Sequence, residues 1–241
     1  MVIEKGYWPF KTAQIILDDP TAHEYMHKSG YGRIVIVSHT KLDPHGFSLK
    51  QKETAIIDLD SLEDVRARFN KTARNEISRT ERDPDFAFKI ISGTMPDDAY
   101  ALYASSVEVR EGKPHAQKTF EGMVFMLGYY RNELLSGLAI FPTSPIARIR
   151  SIFSKRFSVD DKELYAKIGY ASRRCMLEAC RWGIENGKKG IDVGSVNRVE
   201  SQKSGMMMFK LSFGGVIVNE YTYTRTSILF SVFERLLSLV R

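Results

Sequence analysis

Residues 205–215, "GMMMFKLSFGG", place a single lysine inside an otherwise apolar run that closes on two glycines. One interpretation is a buried helix that the glycines terminate. The other is the wall of an active site, where Lys210 would supply a positive charge. Lysine stems on amphipathic helices often run along apolar surface while the ammonium group reaches water. The sequence therefore leaves both interpretations open, with the methionines and phenylalanines expected to pack inward.

A second candidate group lies in residues 62–83, which predict one helix of about 20 residues that begins after Asp60-Ser61 and ends at Asp83-Pro84. At 100° per residue, its apolar face comprises Leu62, Val65, Phe69, Ala73 and Ile77. The opposite face carries Arg68, Lys71, Arg74, Asn75, Ser78 and Arg82. That face either binds phosphate or is a solvated surface whose charge is relieved by Glu63, Asp64, Glu76 and Glu81.

Composition indicates an ordinary globular protein with polyanionic partners. The 241 residues are 43% hydrophobic and 27% charged, and the formal net charge is +6. Such a balance favours nucleic acid, an anionic membrane surface or phosphate-rich small molecules as partners. The sequence has no aromatic RNA-binding signature, no zinc-finger spacing and no block of like charges, so DNA is not an expected partner.

The chain shows no signs of secretion, membrane spanning or metal binding. It has no run of about 18 uncharged apolar residues, and its start has no signal-peptide pattern. A cytoplasmic location is therefore expected. The spacing of Cys175 and Cys180 fits neither a redox pair nor a zinc site, so both are predicted to be reduced packing residues. His23 and His27 have helical spacing but no evident third ligand, and no metal is expected.

The order of elements predicts a mixed α/β sheet covered by helices. Short β-branched runs and periodic segments indicate strands at 33–38, 54–59, 86–91, 146–154 and 189–195, with a loop over 39–53. One helix is predicted to begin at 95–98 and to run through residue 110. Further helices are predicted at 117–122, over 162–186 and at the opening segment 205–215. A hairpin turns at 131–133, and a long strand follows Gly215.

Four segments resemble the GNAT acyltransferase superfamily and, more narrowly, its Fem-like branch of peptidoglycan-bridge aminoacyltransferases and sugar N-acyltransferases. They are "ETAIIDLDSLEDVRARFNKTARNEISRTERD", "SRRCMLEACRWGIENGKKGIDVGSVN", "SGMMMFKLSFGG" and "VNEYTY". The resemblance implies an α/β fold in which two central parallel strands splay apart. These strands would be "ARIRSIFS" and "KGIDVGS". The expected domains are an N-terminal segment 1–84, an acyltransferase core 85–225 and an apolar helix 226–241, in one compact unit.

The resemblance also implies where acyl-coenzyme A would bind. Its pantetheine would lie between the splayed strands, and its pyrophosphate at a helix N-terminus formed by "KIGYASRR", although the usual leading Gln or Arg of that motif is missing. The expected donor-binding residues are Ile152, Phe153, Lys167, Gly169, Tyr170, Ala171, Ser172, Arg173 and Asn197.

Acyl transfer to an amine needs a polarised carbonyl and a proton for the leaving group. Phe209 stands where many GNAT enzymes place an acidic tyrosine, so the resemblance shifts attention to Lys210, which would stabilise the oxyanion or hold an acceptor phosphate. The candidate catalytic residues are Lys210, Tyr223, Glu220 and Asp192. The candidate acceptor-binding residues are Lys71, Arg74, Asn75, Arg82 and Tyr221. Strand alternation places Tyr221 and Tyr223 on the same face of the strand. These tyrosines either face the acceptor or pack against the rest of the protein.

The expected activity is acyl transfer from acyl-coenzyme A to the amino group of a nucleotide-linked amino sugar in cell-envelope polysaccharide synthesis. One alternative is a Fem-like transferase that takes its aminoacyl group from transfer RNA and acts on a peptidoglycan precursor. The lack of an inserted coiled-coil arm favours the thioester. Another alternative is a non-catalytic module that binds an envelope partner or membrane through residues 226–241, a segment that could equally form a homodimer contact.

Overall fold

A computed structural model describes residues 1–7, 9–109, 112–157, 160–196 and 205–239. The strands are β1 Val2–Tyr7, β2 Phe10–Ile16, β3 Tyr31–Ser38, β4 Ser48–Asp58, β5 Phe86–Gly93, β6 Met123–Tyr130, β7 Glu133–Phe141, β8 Ile146–Ser154, β9 Gly190–Val196 and β10 Val216–Thr226. The α-helices are α1 Asp19–His27, α2 Leu62–Arg68, α3 Lys71–Arg82, α4 Asp97–Glu108, α5 Lys162–Glu185, α6 Gly205–Leu211 and α7 Ile228–Leu239. Short 3-10 turns span Gln117–Phe120 and Lys155–Phe157.

The chain divides into two compact units. The first lies within Met1–Thr54, Ser195–Asn197 and Ile217–Arg241, and the second within Ala55–Gly194 and Arg198–Val216. The mixed α/β class predicted from the sequence is confirmed, since both units combine strands with helices and contain parallel as well as antiparallel pairs. The expected domain division at residue 84 stays a prediction.

In the first unit, β1 pairs antiparallel with β2, β2 parallel with β3, and β3 antiparallel with β10. Alternate residues of β2 and β3, such as Ile15, Ile34 and Ile36, point into a core that α1 closes with Tyr25 and Met26. None of β1, β2 and α1 was predicted from the sequence.

In the second unit, β5, β6, β7 and β8 form an antiparallel meander, and β9 joins β8 in parallel. Helix α5 packs on β6 and β7, where Gly128 allows the approach: a Cβ there would lie 3.1 Å from the Cys175 sulfur and 3.3 Å from Ala171. The predicted hairpin turn is confirmed, with Arg131 and Asn132 both at positive φ.

The helix predicted over 62–83 is in fact two helices. Phe69 is extended (φ −64°, ψ 144°), and Asn70 starts α3 as its N-cap by accepting from the backbone N–H of Ala73 at 2.8 Å. The Asn70 N–H donates to the carbonyl of Ser212 at 2.8 Å, so a tertiary contact fixes the break. The predicted apolar face survives it, because Val65, Phe69, Ala73 and Ile77 are all buried. The predicted loop over 39–53 was also too long, since β4 begins at Ser48.

Both cysteines are free thiols buried in α5, so the prediction that they are packing residues is confirmed. Burial raises the pKa of the Cys180 thiol to about 12 and also raises the pKa of Cys175. Because the thiolate is the reactive form, neither should react with a disulfide reagent at pH 8 in the native state. Both should react in denaturant, which serves as the control. Rapid labelling of the native protein would contradict this burial.

Candidate functional site

The parallel strands β8 and β9 stay together over three residue pairs only. The paired positions are Ile146↔Gly190, Ala147↔Ile191 and Arg148↔Asp192. Both strands continue beyond these pairs, β8 as far as Ser154. The separation of two central parallel strands, which the sequence led us to expect at these segments, is therefore confirmed. Within the described part of the chain, the backbone N–H and C=O groups of β8 beyond Arg148 have no partner strand on that side.

The last paired position is held by a buried ion pair. An oxygen of the Asp192 carboxylate lies 2.7 Å from Nη1 of Arg148, with side-chain exposures of 0% and 13%. The other oxygen accepts from the backbone N–H of Gly194 at 2.7 Å. With both oxygens engaged, Asp192 fixes the point at which the strands part. Service as a general base would require it to give up one of these bonds.

Gly194 and Lys210 meet just past that point. Gly194 has φ +80°, and a side chain there would bring its Cβ within 3.5 Å of the Lys210 Nζ and 3.9 Å of the Ile149 carbonyl oxygen. A glycine suits this backbone conformation, and its small size lets the ammonium approach the strand. Lys210 thus places a positive charge where β8 and β9 have separated, as an oxyanion-stabilising group would require.

Helix α6 is anchored by its aromatic residues. Phe209 and Phe213 are buried with ring centroids 5.0 Å apart, and Phe213 lies 5.0 Å from Phe69. The expectation that all three methionines pack inward is wrong: Met207 is buried, but Met206 and Met208 are 43% and 66% exposed. One face of a seven-residue helix suffices for the anchoring, so the other methionines remain at the surface.

The turn after α6 depends on Gly214. Its φ is +69°, and a Cβ there would lie 2.5 Å from the carbonyl oxygen of Arg68. We expect Gly214→Ala to lower the free energy of unfolding by about 2–3 kcal/mol, because it combines backbone strain with a steric overlap. Denaturation in urea measures this loss. Gly187→Ala is the matched control, since Gly187 has φ +65° but no atom within 4 Å of the added Cβ. Equal losses for the two variants would contradict the overlap.

The segment "KIGYASRR" does not form the N-terminus of a helix, as the expected pyrophosphate turn requires. α5 begins at Lys162 with Asp161 as its N-cap, so residues 167–174 lie in the helix interior. Their backbone N–H groups are used by helical hydrogen bonds. Gly169 and Ala171 are buried, and the Ser172 hydroxyl contacts the hydroxyl of Ser136 at 2.8 Å. The backbone N–H groups of Gly169, Tyr170, Ala171 and Ser172 are therefore not available to bind a phosphate, and that part of the prediction is wrong.

The charged residues of the same segment are engaged within the second unit. The Arg173 Nη1 lies 2.7 Å from a Glu76 oxygen, and its guanidinium carbon lies 5.6 Å from the Phe209 ring centre. The Lys167 Nζ donates to Glu163 and Tyr130, bonds that raise the pKa of Lys167. Tyr170 contacts Arg79 on α3. These three side chains tie α5 to its neighbours, so donor binding by them stays a prediction.

The remaining donor-binding candidates lie elsewhere. On β8, Ile152 is partly buried, while Phe153 is 2% exposed and packs on Gly137 and Tyr103. Phe153 can therefore contribute to a donor site through its backbone only. Asn197 lies outside the described residues.

The acceptor-binding candidates on α3 divide into two kinds. Arg74 donates to the carbonyls of Ala67 and Phe69 at 2.8 and 2.5 Å, so it closes the end of α2 rather than facing a ligand. Lys71, Asn75 and Arg82 are exposed on the helix, with the Arg82 Nε donating to the Ser78 carbonyl at 3.0 Å. The exposed residues keep the predicted basic surface, and their role stays a prediction.

The candidates on β10 belong to the first unit. Tyr223 is 2% exposed, and its hydroxyl both donates to the Leu42 carbonyl at 2.8 Å and accepts from the Leu42 N–H at 2.7 Å. Burial raises its pKa. Tyr221 stacks on Tyr223 at 6.5 Å, which places both on one face as predicted. Glu220 is fully buried and lies 3.0 Å from the Lys52 Nζ. The contacts of Tyr223 and Glu220 are those of structural residues, and their catalytic role stays a prediction.

Two functional candidates escaped the sequence analysis, Arg148 and Arg150 on β8. Two arginines at alternate positions of a strand do not by themselves indicate a functional site. The sequence pattern of a strand does not show which of its positions lack a neighbouring strand. No group of three potential metal ligands occurs among the residues that the structure describes. Within that same set, no helix is long and apolar enough to cross a membrane.

No protein-family model matches the chain, and no curated protein is similar to it in sequence. Solved structures do share its fold. FemX is similar with a TM-score of 0.62 and 11% identity, over 97% of this chain and 86% of that one. L-PGS from Bacillus licheniformis has a TM-score of 0.55 and 14% identity over 96% and 83% of the two chains. The C-terminal DUF2156 domain of a candidate lysylphosphatidylglycerol synthetase from Agrobacterium fabrum has a TM-score of 0.57 and 12% identity over 99% and 84%. The chain therefore shares its fold with FemX, and the Fem-like fold expected from the sequence is confirmed.

Proposed function

We propose that this protein is an N-acyltransferase of the GNAT type. The observation that carries the proposal is the separation of β8 from β9 after Arg148↔Asp192, with the Lys210 ammonium at Gly194 beside the opened strands. Unpaired backbone groups along β8 suit an extended acyl donor laid against the strand. The fold that the chain shares with FemX supports the same class of chemistry.

The chemistry needs little from a general base. An amino-sugar amine with a pKa of ~8 is roughly one-tenth neutral at pH 7, which is enough to attack a thioester. The attack forms the C–N bond and a tetrahedral oxyanion. Collapse then breaks the C–S bond and releases a thiolate, which takes up the proton that the amine has lost. Lys210 supports the oxyanion, and the engaged carboxylate of Asp192 keeps the strand ends in place.

For the substrates, we propose acyl-coenzyme A as the donor and a nucleotide-linked amino sugar as the acceptor. Both are polyanions, which fits the net charge of +6. The exposed residues Lys71 and Arg82 on α3 offer a surface for the phosphates of the acceptor. Cell-envelope polysaccharide synthesis is the setting in which this product would be used.

The test incubates the purified protein with acetyl- or hydroxyacyl-coenzyme A and a panel of nucleotide amino sugars. Release of free thiol and the mass of the N-acylated sugar report the reaction. We expect thiol release that depends on the amino sugar. The matched nucleotide sugars with a hydroxyl in place of the amine serve as controls. No acceptor-dependent release with any pair would contradict this donor and acceptor.

A second candidate donor is an aminoacyl-tRNA, and the N-terminus of α5 favours it. Asp161 accepts from the N–H groups of Glu163 and Leu164 at 2.8 and 3.4 Å, and Glu163 adds another negative charge in the first turn. A helix end that already carries carboxylates is a poor site for a pyrophosphate. Transfer of an amino acid that requires charged tRNA and stops after ribonuclease treatment would establish this donor instead.

A further inference from the structure

The guanidinium of Arg150 on β8 lies beside aromatic rings, and no carboxylate among the described residues pairs with it. Its carbon is 5.3 Å from the ring centres of both Phe120 and Phe141. Its Nε is buried and makes no hydrogen bond, and no ion pair with it exists across the described residues. The partly buried Arg148 and Arg173 differ in that each lies 2.7 Å from a carboxylate oxygen, although the Arg173 Nε is also buried without a hydrogen bond.

An arrangement of this kind is costly within the chain itself. Burial lowers the pKa of Arg150, which reflects the lost hydration of the cation. The two rings return part of that cost through cation–π attraction, but they accept no conventional N–H hydrogen bond. A buried polar group without a partner calls for an explanation, and a ligand that completes its hydrogen bonds is one such explanation.

Arg150 stands at an irregularity of β8, next to the opened strands. Ile149 pairs with Ile140 and Ser151 with Ala139, which leaves Arg150 as an extra residue in a bulge. Bulges re-aim side chains and occur often beside active sites. The position is two residues beyond Arg148, where pairing with β9 ends.

Ser151, the next residue along β8, also carries a buried polar group without a hydrogen bond. The Ser151 hydroxyl is buried and has no hydrogen-bond partner. A hydroxyl and a guanidinium on successive residues together offer several donors for one acceptor group. Two adjacent unsatisfied donors at one bulge point to a shared ligand more strongly than either does alone.

We infer that Arg150 and Ser151 bind an oxyanion group, a carboxylate or a phosphate, carried by one of the two substrates. The planar guanidinium matches such a group with two parallel hydrogen bonds. The phenyl rings of Phe120 and Phe141 hold the guanidinium in position. The assignment of the ligand to a substrate rests on the proposed acyl transfer, whereas the anion site itself does not.

The site is tested by nuclear magnetic resonance on 15N-labelled protein. Arg150→Lys identifies the Arg150 Nε–H signal by its disappearance. The protein is then titrated separately with sodium acetate, sodium phosphate and sodium chloride at equal ionic strength. We expect acetate or phosphate, but not chloride, to shift this signal. Acetate alone would indicate a substrate carboxylate, and phosphate alone a substrate phosphate. No shift, or equal shifts with all three salts, would overturn the inference.

A variant separates binding from packing. We expect Arg150→Met to weaken binding of the effective anion at least tenfold while the thermal midpoint stays the same or rises. Arg150→Lys keeps the positive charge but loses the planar guanidinium with its two parallel N–H donors. We expect this variant to weaken anion binding as well. Unchanged anion affinity in both variants, or a lower midpoint with no loss of affinity, would assign Arg150 to packing. Arg131→Lys is the control, because Arg131 is exposed and pairs with Asp85. Since no turnover is measured, a failure of the thiol-release assay leaves this result unaffected.

Discussion

We expect Lys210→Met to lower turnover by about 100- to 1,000-fold, the size of effect seen when one oxyanion-stabilising donor is removed. The ammonium lies at Gly194, where β8 and β9 have parted, so its loss should weaken stabilisation of the oxyanion in the transition state. Methionine keeps most of the apolar stem, so α6 should retain its packing through Phe209 and Phe213. Steady-state kinetics and a thermal melt of the same sample measure the two effects separately.

Lys5→Met is the control for a general loss of positive charge. Lys5 is exposed on β1 in the first unit, and its replacement should leave turnover unchanged. A Lys210→Met protein with wild-type turnover would remove Lys210 from the mechanism. A rise in KM with unchanged kcat would indicate a different role, in substrate binding rather than in the transition state.

We expect Asp192→Ala to lower the free energy of unfolding by about 3–5 kcal/mol, because it removes the carboxylate that compensates a buried cation. Arg148 is only 13% exposed and cannot easily turn to water. The substitution also removes the acceptor for the Gly194 N–H. Urea denaturation followed by circular dichroism measures the loss. Asp192→Asn keeps an acceptor for the Gly194 N–H but removes the charge. Its free energy of unfolding should lie between those of Asp192→Ala and the wild type.

Asp85→Ala is the matched control for this ion pair. Asp85 and Arg131 also approach to 2.7 Å, but their side chains are 40% and 71% exposed. Water replaces the lost partner there, so the expected loss of stability is much smaller than that for Asp192→Ala. If Asp85→Ala and Asp192→Ala lowered the free energy of unfolding by similar amounts, burial would not explain the contribution of the Asp192–Arg148 pair to stability.

Several features followed from the sequence alone because their causes are local. The long helix α5, the hairpin turn at Arg131-Asn132 and the apolar face of residues 62–77 depend on periodicity and turn chemistry within a short segment. The lysine at position 210 drew attention because it interrupts an apolar run. The separation of β8 and β9 was expected only because the family resemblance implies it, and the residues of the two strands did not indicate it.

Tertiary structure decided what those residues do. Asn70 breaks the predicted helix because its N–H donates to Ser212, a residue far along the chain. β1 and β2 form a strand pair although residues 2–16 offer little alternation. The partners that engage Asp192 and Tyr223, namely Arg148 and Leu42, come from other strands and loops. Arg150 stands out only because no described carboxylate pairs with it in space. Local patterns specify elements, but hydrogen-bond saturation and burial depend on contacts between residues distant in sequence.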